Sequence, residues 1–516
     1  MALILLFGSY ASELQTRVAF FNWLVTSRKV ATLEEDLHVF KTKNKISTTA
    51  DITLDYIKAC SVLANKLSEI VEEKTPELVG HFSFLRETMQ GCISHITNST
   101  NLYSVPQVGF SGKLDNEMDV INAYVTRGRA SSFGSLSSLL SKPFGRVKTV
   151  RSRSFNAGFK EFMSILPSNV HLEEKIDLDN LRDDWNFPMI SYFNNTNQAF
   201  LSVGYALLSG FREHYNLPEE KLLKFLSLVD GLYSKSTAYH NSMHAAFVAH
   251  KIYCLANYIG IYDVMSVLDR SIIIVAALCH DIGHPGRNNT FFINSQHPVA
   301  QLFNDRAVLE NFHSCCTFNI LEIPECNIFA DFSADEYKVI RRKLIELILA
   351  TDMEDHFEIV SKFSLRKNSP EFSKDDEEDL DLISKVLIKA ADLSSGIVSW
   401  DESFEWSQRI LYEFYDQGDE EIRLGLPVGA LCDRKRHNEV AKSQYTFLKL
   451  VVSPIFEELA ALNPGKIKGI CIKQLDENAK KWQDISESGE EIPLLNLERE
   501  LQSGTINIAW AMPNRE

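Results

Sequence analysis

Histidine and carboxylate side chains cluster twice in this sequence at spacings that could hold a metal ion. In Tyr239-His240-Asn241-Ser242-Met243-His244 the two histidines stand at i and i+4, on one side of any helix they share. Further along, an apolar run from Ile272 to Cys279 ends in His280-Asp281-Ile282-Gly283-His284. A distant carboxylate, Asp392 in Ala391-Asp392, adds oxygen to this nitrogen-rich set. Imidazole and carboxylate together suit a Zn²⁺ with one coordination position left open. Spacing alone does not bring three such segments together, and a histidine at a helix end is more often a core or surface residue than a ligand. A scaffold is required.

With 516 residues the chain exceeds a single ordinary core, so one large domain plus an extra region is expected. Apolar residues make up 45% and charged ones 24%, an ordinary globular balance. The net charge of -16 argues against nucleic acid or an anionic membrane as the main partner. It leaves room for a small anionic substrate if bound metal supplies local positive charge. The nine cysteines show no CxxC spacing, which disfavours thiolate zinc binding and a disulfide framework and fits a reducing, cytoplasmic compartment. The opening MALILLFGSY is interrupted by Glu13 and Arg17, short of the ~20 residues a membrane span needs. Membrane association is expected only if the native chain is longer.

Apolar positions at three- and four-residue steps between Asp51 and Met89 predict an amphipathic helix, and residues 1–125 read as a helical N-terminal region. Residues 126–156 are serine-rich and basic without an acidic residue before their end, and read as a linker. Ser132 and Ser154 follow arginines there, so a kinase is a candidate partner acting on the linker. From 157 to 490, stretches such as Lys221–Tyr233, Tyr337–Ala350 and Ser384–Ala391 keep helical spacing, and period-two runs are lacking. The expected fold is all-α, followed by a tail over 491–516. The acidic run Lys374–Asp379 is expected to be a solvated loop.

The ordered motifs resemble one family. Tyr239-His240-Asn241 through His244 resembles the HNxxH motif of the class I 3′,5′-cyclic-nucleotide phosphodiesterases of the HD superfamily, and His280 to Gly286 resembles their HDxxHPG motif. Asn304-Asp305 with Val308–Asn311, Thr351-Asp352-Met353 with His356, Ala391–Ser394, Cys432-Asp433 and Gln444–Phe447 follow in the family's order, and Asn478 and Trp482 fit its last helix. The wording His284-Pro285-Gly286-Arg287-Asn288-Asn289 is similar to protozoan members.

The resemblance implies a multi-helix catalytic domain with an HD-type site for two divalent metals, Zn²⁺ and Mg²⁺, with Mn²⁺ an acceptable substitute. It gives His244, His280, Asp281 and Asp392 to the first metal and lets Asp281 bridge to the second. It makes His284, Glu310 and Asp352 the residues that order metal-bound water, and His240 the general acid. Glu439 is one candidate for the carboxylate that raises the pKa of His240. Substrate binding falls to Tyr239, Gln444 and Phe447, with Ile410 or Val398 facing Phe447 across a purine slot. The implied activity is hydrolysis of the 3′ phosphoester of cGMP or cAMP to the 5′-monophosphate; the alternative is a relative that only binds the nucleotide or acts as a scaffold. Where many members read DLSNP this chain has Ser394-Ser395-Gly396, which favours cGMP or dual use. A homodimer is compatible with all of this. His250, His297 and His313 are expected to pack or to hydrogen-bond rather than to do chemistry.

Overall fold

The computed structural model describes residues 170–494, apart from 174, 177–180, 182 and 183, together with 497. The expected N-terminal helix, the linker and its serines lie outside the described residues. Among the described residues the regular structure is helical throughout. The principal helices are α1 (Met189–Asn195), α2 (Ala199–His214), α3 (Glu219–Leu232), α4 (Ser242–Tyr258), α5 (Val267–Cys279), α6 (Asn289–Asn294), α7 (Pro298–Leu302), α8 (Val308–Leu321) and α9 (Ala334–Leu349). They continue as α10 (His356–Lys367), α11 (Glu377–Asp392), α12 (Trp400–Leu424), α13 (Val440–Phe447), α14 (Ser453–Leu462) and α15 (Lys473–Ser488).

Polar side chains start many of these helices. The oxygens of Asn241, Ser266, Asn288 and Asp376 accept from backbone N–H groups of the first turns of α4, α5, α6 and α11. Ser333 and Glu336 form a reciprocal capping box at α9. The acidic run is therefore not simply a solvated loop. Asp376 caps α11, and Asp379 is buried with its Oδ1 accepting from Arg366 Nε at 2.6 Å.

α4 lies at the centre. All its residues but Ser242 and Asn257 are buried, because α2, α5 and α11 pack around it. A helix enclosed on all sides tolerates little movement, since each large side chain is wedged among close-packed neighbours. α12 runs across the site as a 25-residue helix and stops at Gly425, whose φ of 68° is the left-handed conformation glycine adopts freely. Its partner α15 is fixed by Trp482, which stacks on Phe404 and meets Trp400 edge-on. Asn478 in the same helix donates to the carbonyls of Gly396 and Val398, closing the turn after Asp392.

Candidate active site

The HNxxH segment is placed by its own backbone. Asn241 Oδ1 accepts from the N–H of Met243 and of His244 at 3.0 and 3.3 Å, so the helix begins between the two histidines. His240 therefore precedes the helix while His244 lies within its first turn, and the two rings face different partners. His244 Nε2 is 3.0 Å from Asp392 Oδ1 and 3.6 Å from Asp281 Oδ2. His280 ends α5, where its Nδ1–H donates to Ala277 O at 2.8 Å. That bond fixes the tautomer and turns the Nε2 lone pair towards Asp281 Oδ2 at 3.0 Å and Asp392 Oδ1 at 3.4 Å.

The predicted ligands thus converge: ligand atoms of His244, His280 and Asp392 lie within 4.8 Å of one another, and Asp281 reaches both histidines. His280 Nε2 is buried and has no hydrogen-bond partner of good geometry. A buried lone pair facing two carboxylates is unfavourable unless a cation joins them. The donor set fits a divalent metal. Burial acts against charge on all four groups. The set divides: burial holds the His244 pKa down, while Asp281 and Asp392 outweigh burial and hold His280 well above its usual value. Burial would raise Asp392, but His244 and His280 keep its carboxyl well below the usual range.

His284 has the opposite tautomer. Its Nδ1 accepts from Gly286 N at 3.1 Å, which leaves the proton on Nε2 and makes the ring a donor rather than a metal ligand when neutral. Burial and then His240 hold its pKa well below the usual value. Its ring stacks on His240 with centroids 4.0 Å apart. Glu310 and Asp352 line the same cleft. Asn289 Nδ2 donates to both Glu310 oxygens, at 3.3 and 3.0 Å, and Asn289 Oδ1 accepts from Leu309 N at 2.9 Å. Burial, followed by Asp352, pushes Glu310 up to about 8. Asp352 also caps the turn after it, accepting from Glu354 N at 3.0 Å, and burial raises its pKa.

The partner of His240 is Glu413 and not Glu439. His240 Nδ1–H donates to Glu413 Oε2 at 2.6 Å, and Glu413 Oε1 accepts from the N–H of Tyr239 and His240 at 2.7 and 2.8 Å. Burial lowers the His240 pKa, but Glu413 outweighs it and holds the imidazole at about 9. Glu439 instead accepts from the guanidinium of Arg436, one turn away on the same short helix.

Gln444 and Phe447 stand three residues apart on α13 and line the cleft that also contains Tyr239, His240, Asp281 and Asp392. Ile410 lines it from α12. Val398 does not serve as the facing wall: its side chain is in the core. Tyr239 packs its ring against His240, His244 and Trp406, and its hydroxyl shares a 3.0 Å hydrogen bond with Ser395 Oγ.

Of the histidines expected to be structural, His250 bonds Leu181 O and His297 caps α7. His313 does more. Its Nδ1–H donates to Ile282 O at 2.8 Å, and its Nε2, without a hydrogen bond, lies 3.7 Å from Asp281 Oδ1. The readable signal was its i+3 offset from Glu310 on one face of α8. Asn289 and Glu413 were also missed. Cys432 is buried, and burial holds its thiol up to about 12.

An all-helical domain gathers histidines and carboxylates from distant segments of the chain around one cleft. Residues 239–474 match the family described as 3′5′-cyclic nucleotide phosphodiesterase. The chain is 36% identical over 498 residues to the dual 3′,5′-cyclic-AMP and -GMP phosphodiesterase beta of Plasmodium falciparum, covering 94% of this chain and 43% of that one. It is 36% identical over 275 residues to the 3′,5′-cyclic-nucleotide phosphodiesterase regA of Dictyostelium discoideum, covering 53% and 34%. The chain thus spans less than half the length of these two relatives. Among solved structures, the phosphodiesterase domain of the RhoPDE fusion protein of Salpingoeca rosetta has a TM-score of 0.56 at 28% identity, covering 61% of this chain and all of that one. LmjPDEB1 in complex with IBMX gives 0.56 at 26% identity, covering 66% and all of it. Residues 239–474 thus carry a cyclic-nucleotide phosphodiesterase domain similar to protozoan members, and that family uses divalent metal.

Proposed function

We propose that the protein hydrolyses 3′,5′-cyclic nucleotides to 5′-monophosphates and so terminates cyclic-nucleotide signals. The observation that carries this is the His240–Glu413 pair beside the convergent cluster of His244, His280, Asp281 and Asp392. When bound, two divalent cations supply an activated water and offset charge on the phosphate oxygens. We assign Zn²⁺ to the histidine–carboxylate set, and to the second position Mg²⁺, which keeps most of its waters and needs few protein ligands. Asp281 lies between the two sets of residues. His284 offers its Nε2–H, and Glu310 and Asp352 their carboxylates, to order water there.

Glu413 fixes His240 by its Nδ1–H and keeps the ring protonated at neutral pH. The proton on Nε2 is then available to the departing O3′, which would otherwise leave as a high-energy alkoxide. Phe447 and Ile410 enclose the purine, and Gln444 offers an amide to its edge. No hydrogen bond to another described residue holds that amide in one orientation, so it can present donor or acceptor first. Together with the similarity to a dual-specificity relative, this supports use of both cAMP and cGMP.

The test is hydrolysis of both nucleotides side by side, with Mg²⁺ and after chelation. Cleavage that survives complete metal removal, or failure to cleave either nucleotide with metals restored, overturns the reading. Asp392→Ala should abolish turnover together with tightly bound metal. The proposal extends to a cytoplasmic setting, in keeping with nine cysteines that show no CxxC spacing; recovery of the native protein in the membrane fraction would count against it.

A further inference from the structure

His356, the last residue of the Thr351-Asp352-Met353 motif, lies neither in the cleft nor at the surface. It is fully buried at the start of α10, and its Nε2–H donates to Val451 O at 3.0 Å. Val451 lies in a π-helical turn, Leu448–Val452, that follows Phe447 directly. A π turn within a helix is a local departure from the regular ladder and is found often at functional sites. The other ring nitrogen, Nδ1, is buried without a partner. Burial and then the nearby Lys389 charge hold the ring neutral, at about 3. An apolar residue would avoid leaving that nitrogen unsatisfied, so the bond to Val451 has to justify the histidine.

The opposite end of the same segment is also fixed. Lys389, fully buried on α11 one turn before Asp392, donates its ammonium to Asp352 O at 2.9 Å and reaches Thr351 O at 3.5 Å. Thr351 to His356 therefore spans from the helix that presents Asp392 to the helix that presents Gln444 and Phe447. Asp352, within it, faces the cleft. A substrate that must bind metal with its phosphate and a slot with its base needs the two subsites at a fixed spacing. A misplacement of about 1 Å can reduce rate by as much as ~100-fold.

We propose that His356 is a positioning residue that sets the spacing between the metal cluster and the purine slot, by tying the Asp352 turn to the Val451 carbonyl just past Phe447. The inference rests on the phosphodiesterase reading, and wild-type hydrolysis of cyclic nucleotide is the control that separates failure of one from failure of the other. His356 is distant from the reacting atoms, so its effect is read through ligands of different reach.

The experiment compares His356→Leu, which removes the donor, with His356→Gln, whose Nε2 keeps one at similar reach. Competitive inhibitors of three kinds are used on the metal-loaded full chain: inorganic phosphate, the free base hypoxanthine, and the 5′-monophosphates GMP and AMP. With His356→Leu the monophosphates should bind roughly tenfold more weakly, on the scale of one buried hydrogen bond. Phosphate and hypoxanthine, which occupy one subsite each, should bind as in the wild type. His356→Gln should restore monophosphate affinity. Weakened hypoxanthine alone would show a local collapse of the slot, and unchanged monophosphate affinity would show that the bond sets nothing; either result overturns the proposal. Equal weakening of all three ligands with a lowered thermal midpoint would mean a general loss of structure and also rejects it.

Discussion

At the scale of the residue, the site separates two histidines that the sequence presents as a pair. His244 faces Asp392 and His240 joins Glu413, because the N-cap Asn241 starts the helix between them. The separation has a pH signature. With burial opposing and Glu413 prevailing, His240 stays protonated to about 9, so turnover should fall on the alkaline side near that value. In Glu413→Gln burial acts unopposed by that carboxylate, and the alkaline limb of kcat should move down by roughly two pH units or more. Glu439→Gln should leave the limb in place, and a pH profile of the three proteins checks both statements. The same pair contributes to folding. His240 is raised from 6.5, so its contribution is complete below 6.5 and is lost as pH rises through about 9. Glu413 is lowered from 4.5, so its share is present above 4.5 and is lost as pH falls through its folded value. For His240 itself, His240→Asn should reduce kcat by about 10²–10⁴ with bound metal near normal. The histidine motifs were legible because their spacing is local. Glu413 was not: α12 offers an acid on nearly every turn, and nothing in the sequence marks the one that meets a residue 173 positions earlier.

At the scale of the element, α12 ties the metal loop to the wall of the substrate cleft. Arg287 of the HPG segment donates to Asp416 and Glu420, and Asn288 N donates to Gln417 Oε1 at 2.9 Å. Gln417 in turn donates to Glu421, whose other oxygen accepts from Gly429 N at 3.0 Å. At Gly418 the loop comes so near that an added Cβ would sit 2.0 Å from the Cys432 carbonyl oxygen. Gly418→Ala must push the loop outward, because a backbone carbonyl cannot rotate away as a side chain can. Stability should drop by about 1–3 kcal/mol, and KM should rise more than kcat falls, since the loop lines the cleft but supplies none of His244, His280, Asp281 and Asp392. Steady-state kinetics and a thermal melt test this together. Helical periodicity made the end of α11 visible in advance, over Ser384–Ala391. The loop's dependence on Gly418 was hidden, because a helix-interior glycine signals only reduced propensity until its neighbour is known.

At the scale of the whole molecule, residues from Tyr239 to Phe447 meet in one cleft although most of the domain's chain lies between them. The described core fits the all-α expectation, and the ordered motifs anticipated which segments converge. Their hydrogen-bond partners were not anticipated, because those depend on packing rather than on pattern. Four carboxyl groups, Asp281, Glu310, Asp352 and Asp392, converge on the cleft only in the folded state, so cations bound there favour folding. Chelation should therefore lower the thermal midpoint of the wild type. The corresponding free energy is about 3 kcal/mol when metal had been present at roughly 100 times its dissociation constant. Asp392→Ala should show a much smaller response to chelator in the same melt. The long α12 also bears on how the chain can vary in length. Trp406, Ile410, Glu413, Gln417, Gly418 and Glu421 are all set by one uninterrupted helical screw. Removing or inserting one residue near Glu402 would turn every later side chain by about 100°, taking the acid's partner, the slot wall and the loop anchor out of place at once. Descendants of this sequence can exchange residues on the exposed side of α12 singly, but its residue count between Trp406 and Glu421 is fixed, and gains or losses of length have to fall in the connections outside it.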